Sequence, residues 1–267
     1  DGKLYGVPYT DNTWFMYYNK SKITEDEAKD FDTILSKAKV AFSLQNSWYI
    51  NGFYDGLSLF GEKGNDADAG MVFPKDGADI TSYLVDVVAN PNFSNDDGAS
   101  GLAAIKDGSA DVLFSGTWSA KDVKEALGDN YAATSLPTFT VNGQKKQMKS
   151  FAATKAAAYN PNAKNPKAAA QFAAYLGSTE AQKLHYEMRA IPPTDKSLSG
   201  LTTDDIAAKA QADTMANTAL LQSGLSGMND WWTPAETFGK ALVNKEITKD
   251  NAADQLRSGR AVQQECR

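Results

Sequence analysis

At 267 residues, 42% hydrophobic and 22% charged, the chain has enough apolar side chain to build one large core or two modest ones. Lys plus Arg is 27 against 33 for Asp plus Glu, a formal charge of -6, and no basic stripe interleaves with aromatics, which excludes nucleic acid as a partner. No run has the length and apolarity of a transmembrane helix, and the polybasic clusters that would hold an anionic membrane are missing.

The opening stretch, Asp1-Gly2-Lys3-Leu4-Tyr5-Gly6-Val7-Pro8-Tyr9, has neither an initiating Met nor a signal peptide and reads as the interior of a longer protein or a processed piece of one. Leu4–Tyr9 predicts a strand and Trp14–Tyr18 a second, joined through Thr10-Asp11-Asn12-Thr13. Thr24 and Glu27 have the spacing of a capping box, opening a helix to about Lys39. Val40–Leu44 is a short buried strand ended by Gln45-Asn46-Ser47. Tyr49, Phe53, Leu57 and Phe60 then recur at roughly helical spacing, with Trp48 at the corner before them. Gly61–Asp79 is a loop, Ile80–Ala89 an amphipathic helix stopped near Pro91, Asn92–Gly98 another loop and Ala99–Lys106 a short helix.

Ala110–Phe114 is a short, largely apolar strand candidate, and Ser115-Gly116 end it. Ser119 with Asp122 predicts a second capping box, opening a helix to about Leu127. Trp118 thus stands at the carboxyl end of a strand beside a helix N-terminus, where open α/β sheets bind ligands. On this stretch alone the ring is either core or ligand platform. Tyr131–Leu136 is a strand, Asn142-Gly143 joins the hairpin Phe139–Val141 to Gln144–Met148, and Ser150–Tyr159 is an alanine-rich strand. Helices dominate afterwards: Pro166–Gly177, Thr179–Arg189, a long alanine-rich Thr202–Leu221, Thr233–Asn244 and Thr248–Arg257. A stiff Ile191-Pro192-Pro193-Thr194 connector and a Gly224–Asp230 loop running into Trp231-Trp232 separate them. Strands alternating with helices, then a helical portion packed on the sheet, give an α/β fold.

Cys266 is the only cysteine and His185 the only histidine. Neither an intrachain disulfide nor a cysteine metal site can form, no cofactor motif is present, and serine–histidine catalysis has no G-x-S-x-G elbow to use. The chain instead carries five tryptophans and eleven tyrosines. Trp48, Trp118 and Trp232 each fall where a strand end or loop meets a predicted helix start. An indole offers an apolar face and one N–H donor, and a pyranose ring has apolar C–H faces with hydroxyls round its rim. Stacking the two removes water from both, worth ~1 kcal/mol for ~50 Å² buried. Asp11, Asn12, Asn46 and Glu236 are the polar side chains placed to take the hydroxyls.

These segments, in this order, resemble the extracellular solute-binding proteins of ABC sugar importers, most closely the maltose/maltodextrin-binding proteins. The resemblance runs through Asp1–Pro8, Met16-Tyr17-Tyr18-Asn19-Lys20, Phe42–Tyr49, Phe114-Ser115-Gly116-Thr117-Trp118, Leu136-Pro137-Thr138-Phe139 and Met228-Asn229-Asp230-Trp231-Trp232. It implies a two-lobed periplasmic-binding-protein-like (type II) fold that closes on a sugar by a hinge. It also implies an extracytoplasmic setting, periplasmic or as a cell-surface lipoprotein, and two partners, an oligosaccharide and a membrane permease. Within it, Trp48, Tyr49, Trp118 and Trp232 match sugar-stacking aromatics. Asn12 and Asn46 stand where the family has hydroxyl-binding carboxylates, Asp11 compensates one residue earlier, and Glu236 replaces a familiar basic residue. About a hundred family residues precede the Leu4–Tyr9 strand. Residues 12–149 and 194–257 are therefore expected to form one nearly complete lobe, 1–11 and 150–193 part of the first lobe with hinge segments, and 258–267 a tail.

Two other functions fit the same residues. Asp11 and Glu236 are the pair a glycoside hydrolase would need across its scissile bond, and a receptor for a different oligosaccharide would use the same platform. A metal site on Tyr17-Tyr18 is disfavoured, because neighbours on a strand point to opposite faces, one to core and one to surface.

Overall fold

The strands at the centre of the molecule are apolar on both faces, and two helical layers cover them. The computed structural model describes residues 5–257; the expected tail, Cys266 and Leu4 of the expected opening strand lie outside that range. In chain order come β1 (Val7–Asn12), β2 (Phe15–Asn19), α1 (Phe31–Lys37), β3 (Val40–Phe42), β4 (Ser58–Leu59), β5 (Met71–Val72), α2 (Gly77–Ala89), β6 (Phe93–Asn95), α3 (Ser100–Asp107) and β7 (Val112–Ser115). There follow α4 (Ala120–Leu127), β8 (Tyr131–Thr134), β9 (Thr138–Val141), β10 (Gln144–Gln147), β11 (Ser150–Ala157), α5 (Pro166–Leu176), α6 (Thr179–Arg189), α7 (Ile206–Asn217), β12 (Ala219–Leu221) and α8 (Asn229–Val243).

A five-stranded sheet in the order β6-β3-β7-β2-β8 is parallel on one side, where β3 pairs with β6 and β7, and antiparallel where β2 pairs with β7 and β8. Alternation along β2 splits its side chains: Met16 and Tyr18 join one core with α1, α2 and α8, while Phe15 and Tyr17 join a second with α3, α4 and α7. Tyr17 and Tyr18 are therefore both buried, not one core and one surface. Tyr17 donates to the Gly116 carbonyl at 2.9 Å, and burial, with Tyr131 and Asp205 next in weight, raises its pKa well above the ordinary tyrosine range. A three-stranded sheet, β1-β11-β12, stands apart, with β1 antiparallel and β12 parallel to β11. The division expected at Thr194 does not follow the sheets, because β12 belongs to the smaller one while α7, just before it, packs on β8 and β2. Among the described residues no helix is long and apolar enough to cross a membrane.

Local chemistry explains the agreements. The Thr24–Glu27 box forms, Thr24 N–H to Glu27 Oε2 at 2.8 Å and Glu27 N–H to Thr24 Oγ1 at 3.3 Å, but it opens only a 3-10 turn at Glu27–Lys29. Asp30 is extended and caps the separate helix α1 through the Thr33 N–H, so the continuous helix expected to Lys39 is divided there. Asn142 and Gly143 take φ of 49° and 77°, the positive pair that a tight β9–β10 hairpin requires.

Tertiary contacts explain the differences. Ser119 does not cap α4: its hydroxyl is spent on Ser115 Oγ at 2.8 Å. Positive φ at Gly56, Phe60 and Gly61 breaks the expected Tyr49–Phe60 helix, leaving a 3-10 turn at Ile50–Phe53 although the aromatics are core. Phe93–Asn95, expected as loop, adds a parallel strand beside β3. The long Thr202–Leu221 helix is shortened at both ends. Asp205 accepts the Ala208 N–H at 3.0 Å and starts α7 at Ile206, while Ala219–Leu221 leave the helix to pair with Ser150–Ala152. Sheet pairing there outweighs alanine's helix propensity.

Candidate functional site

Trp118 lies in a 3-10 turn at Thr117–Ser119, directly after β7, and is 39% exposed. For a large ring that fraction decides against core. Its indole folds back over Gly116, where an added Cβ would come within 2.1 Å of the ring. Gly116 has φ -104°, which any residue can adopt, so the glycine is needed for close approach and not for backbone freedom. The Trp48 ring lies 6.1 Å from Trp118, tilted by 41°, and the two form one aromatic platform.

The loop after β3 carries Trp48 and is tied down at several points. The Trp14 indole N–H donates to the Trp48 carbonyl at 2.9 Å, and that of Trp231 to the Ser47 carbonyl at 2.8 Å. Asn46 Oδ1 accepts the Trp48 backbone N–H at 2.8 Å, so its oxygen serves the loop although the residue is exposed. The Ser43 hydroxyl donates to buried Asp96 at 3.1 Å, whose other oxygen takes the Gly98 and Gly101 N–H groups. Tyr49, 8% exposed, stacks on fully buried Trp14 at 5.0 Å and meets Trp48 edge-on at 5.8 Å. It stands beneath the platform as a support. Burial pushes its hydroxyl above the ordinary tyrosine range, Asp96 adds to the shift and a hydrogen bond with Ser115 opposes it.

The smaller sheet faces this platform with two groups that neither motif nor spacing revealed. Gln222, held beside β11 by its N–H to the Ala152 carbonyl at 3.0 Å, accepts the Trp48 indole N–H at 3.0 Å. Lys155 of β11 places its ammonium 5.6 Å from the Trp118 ring centroid. In the β1–β11 register Thr10 lies opposite Lys155 and Asn12 opposite Ala153, which puts Asn12 on the strand face that carries Lys155. Asp11 lies opposite Thr154 on the other face and accepts its hydroxyl at 3.2 Å. Glu236 of α8 accepts the Ser47 hydroxyl at 3.3 Å. Trp232 is not at the junction of loop and helix: α8 starts at Asn229 and includes it, half-buried and edge-on to Phe151 at 5.9 Å. The structure thus joins Trp48, Trp118, Tyr49 and Asn46 around one loop and adds Lys155 and Gln222. Glu236 sits behind that loop, and Trp232 lies farther along β11, whose Phe151 and Lys155 are about 13 Å apart at the rise of a strand.

His185, 5.7 Å from Tyr9, lies near the same sheet. Burial first, then Arg189 and Lys155, hold its imidazole below the ordinary value. On acidification the folded chain takes up this proton later than the unfolded chain does. The stability due to neutral His185 is therefore complete above about pH 6.5 and is lost as pH falls below it. Denaturation at about pH 7.5 and about pH 5 should show a larger acid loss in the parent than in His185→Gln; equal losses would assign the effect to other groups.

Known proteins resemble this chain in sequence and fold. A 27% identical galactooligosaccharide-binding protein of Bacillus subtilis aligns with 96% of the chain and 65% of its own length. A 28% identical maltooligosaccharide ABC transporter solute-binding lipoprotein of Streptococcus pneumoniae aligns with 95% of the chain and 64% of its own. The chain thus spans a little under two thirds of these curated relatives. A protein solved with acarbose superposes with a TM-score of 0.95 at 41% identity, covering all of this chain and 72% of that one. A ligand-free maltodextrin-binding protein from L. casei superposes at 0.83 with 24% identity over 98% of the chain and 72% of that one. The fold is the two-lobed type II binding-protein fold, represented here by one nearly complete lobe and part of the other. With the family profile matching residues 1–217 as well, the chain belongs to the bacterial extracellular solute-binding proteins.

Proposed function

We propose that this chain binds oligosaccharides of the maltose/maltodextrin class, leaves them chemically unchanged, and delivers them outside the cytoplasm to the membrane permease of an ABC importer. The paired Trp48 and Trp118 rings carry the proposal, because an exposed aromatic face of this size beside hydrogen-bonding groups matches a pyranose better than a charged or purely apolar ligand. Asn12, on the strand face of Lys155, and the Asn46 amide nitrogen would meet hydroxyls, with Trp232 reaching a longer chain. Asp11, turned to Thr154, and Glu236, bonded to Ser47, would contribute less than their positions in the sequence suggest. Support also comes from the protein solved with acarbose and the maltooligosaccharide lipoprotein, and the latter favours a surface-anchored or periplasmic setting. The galactooligosaccharide-binding relative makes another oligosaccharide the second candidate ligand.

Titration of intrinsic tryptophan fluorescence with maltose, maltotriose and maltotetraose, against lactose and sucrose, tests the ligand class. Saturable change is expected with the maltose series. Trp118→Ala should weaken it by about 2 kcal/mol, roughly thirtyfold. A response to lactose alone would move the ligand to the galactoside class, and none to any sugar by folded protein would remove the proposal. Against hydrolysis stands the placement of the two carboxylates: Asp11 faces Thr154, away from the Lys155 side of the β1–β11 pair, and Glu236 is bonded to Ser47 in the loop that carries Trp48. Maltotriose should survive prolonged incubation intact, and release of glucose or maltose would restore the hydrolase.

A further inference from the structure

The Lys155 ammonium stands over the Trp118 ring, 5.6 Å from its centroid, on one of the two rings that a sugar would cover. Lys155 sits in a run of small residues, Ala152-Ala153-Thr154 before it and Ala156-Ala157-Ala158 after it, so no neighbouring bulky side chain of β11 competes for that space. Its side chain bridges the smaller sheet to the turn that follows β7 of the larger one. Gln222 repeats the bridge on the other ring by taking the Trp48 N–H. Of the carboxylates nearby, Asp11 is on the opposite face of the β1–β11 pair with Thr154, and Glu236 is bonded to Ser47. Among the described residues no carboxylate forms an ion pair with Lys155, which leaves its charge directed at whatever covers Trp118.

We propose that Lys155 is a charge filter on the platform: it covers Trp118 in the empty protein, yields the face to a neutral sugar, and rejects sugars that carry a positive amino group. The proposal rests on the oligosaccharide function above. A cation held over an exposed indole is bound weakly, so a pyranose that covers the ring displaces it readily. The displaced ammonium has three N–H donors and a flexible stem with which to meet hydroxyls at the sugar's rim. An amino sugar brings a second positive charge into that space. At about 6 Å, in the intermediate dielectric of a half-open site, two like charges disfavour binding by about tenfold. Salt should erode that factor.

Two measurements on the intact chain separate this inference from the function it rests on. The first needs no sugar: quenching of tryptophan emission by iodide and by caesium ions. Trp118 is the most exposed of the tryptophans, so with Lys155 beside it iodide should quench better than caesium, and Lys155→Met should narrow the difference. No change in that difference would overturn the filter. The second compares maltotriose with a maltotriose in which one hydroxyl is replaced by an amine. The parent should prefer the neutral sugar about tenfold, Lys155→Met should bring the two within about twofold, and Lys155→Glu should reverse the order. A preference that ignores all three side chains would sink the proposal even with the quenching result in hand. If ion quenching responds but maltotriose binds to no variant, the sugar function itself fails, and the filter, which depends on it, falls with it.

Discussion

Gly116→Ala should abolish most ligand binding while leaving the chain folded. An added Cβ would lie 2.1 to 2.5 Å from three atoms of the Trp118 ring, far inside contact distance, and the 3-10 backbone turn leaves no slack to absorb it. The ring is 39% exposed and only the flexible Lys155 side chain stands over it, so it swings outward and does not compress the core. The cost in stability should then be about 1 kcal/mol, but the alignment of Trp118 with Trp48 is lost. Affinity for maltotriose should fall roughly thirtyfold, as for Trp118→Ala. The double variant Gly116→Ala/Trp118→Ala should bind no worse than Trp118→Ala alone, because both remove the same ring from the same place. Additive losses would mean that Gly116 acts on the site by some other route.

The largest stability effect is expected at Trp231. This ring is 2% exposed, touches Phe73 and Phe151 at centroid distances of 6.0 and 6.2 Å, and ties α8 to the Ser47 carbonyl. Trp231→Ala would empty that space and orphan the carbonyl, for a loss of about 4 kcal/mol. In a chain of this size that is a fall in melting temperature of about 10 °C. Trp231→Phe keeps most of the volume and loses only the hydrogen bond, so about 1 to 2 kcal/mol is expected. Thermal or urea denaturation of the two variants separates packing from hydrogen bonding. Equal losses would place the energy in the Ser47 bond.

Sequence patterns located most elements because their causes are local. The Thr24–Glu27 box, the Asn142-Gly143 hairpin, Pro166 at the start of α5 and Ser178 capping α6 each need only neighbours within four residues. Ser119 shows the limit of that logic. It has the right spacing for a cap, but Ser115 is within reach of its hydroxyl and takes it. Residues 219–221 show the same limit for propensity, since the partner that makes them a strand lies near Ser150.

The site divides along the same line. The sequence by itself determined that aromatics stand at strand ends, that polar side chains flank them, and that the order of motifs matches sugar-importer binding proteins; each is a property of residue type and order. Only the tertiary structure decided which indole is open and which groups face it. Trp48 and Trp118 are 70 positions apart and become a pair because β3 and β7 are adjacent strands. Tyr49 turns inward under Trp48, Trp232 is drawn into α8, and Lys155 and Gln222 arrive from the smaller sheet. No spacing rule in the chain could supply those facts, because strand alternation and sheet pairing set side-chain facing, and the pairing here joins residues a hundred or more positions apart, as between Asp11 and Thr154.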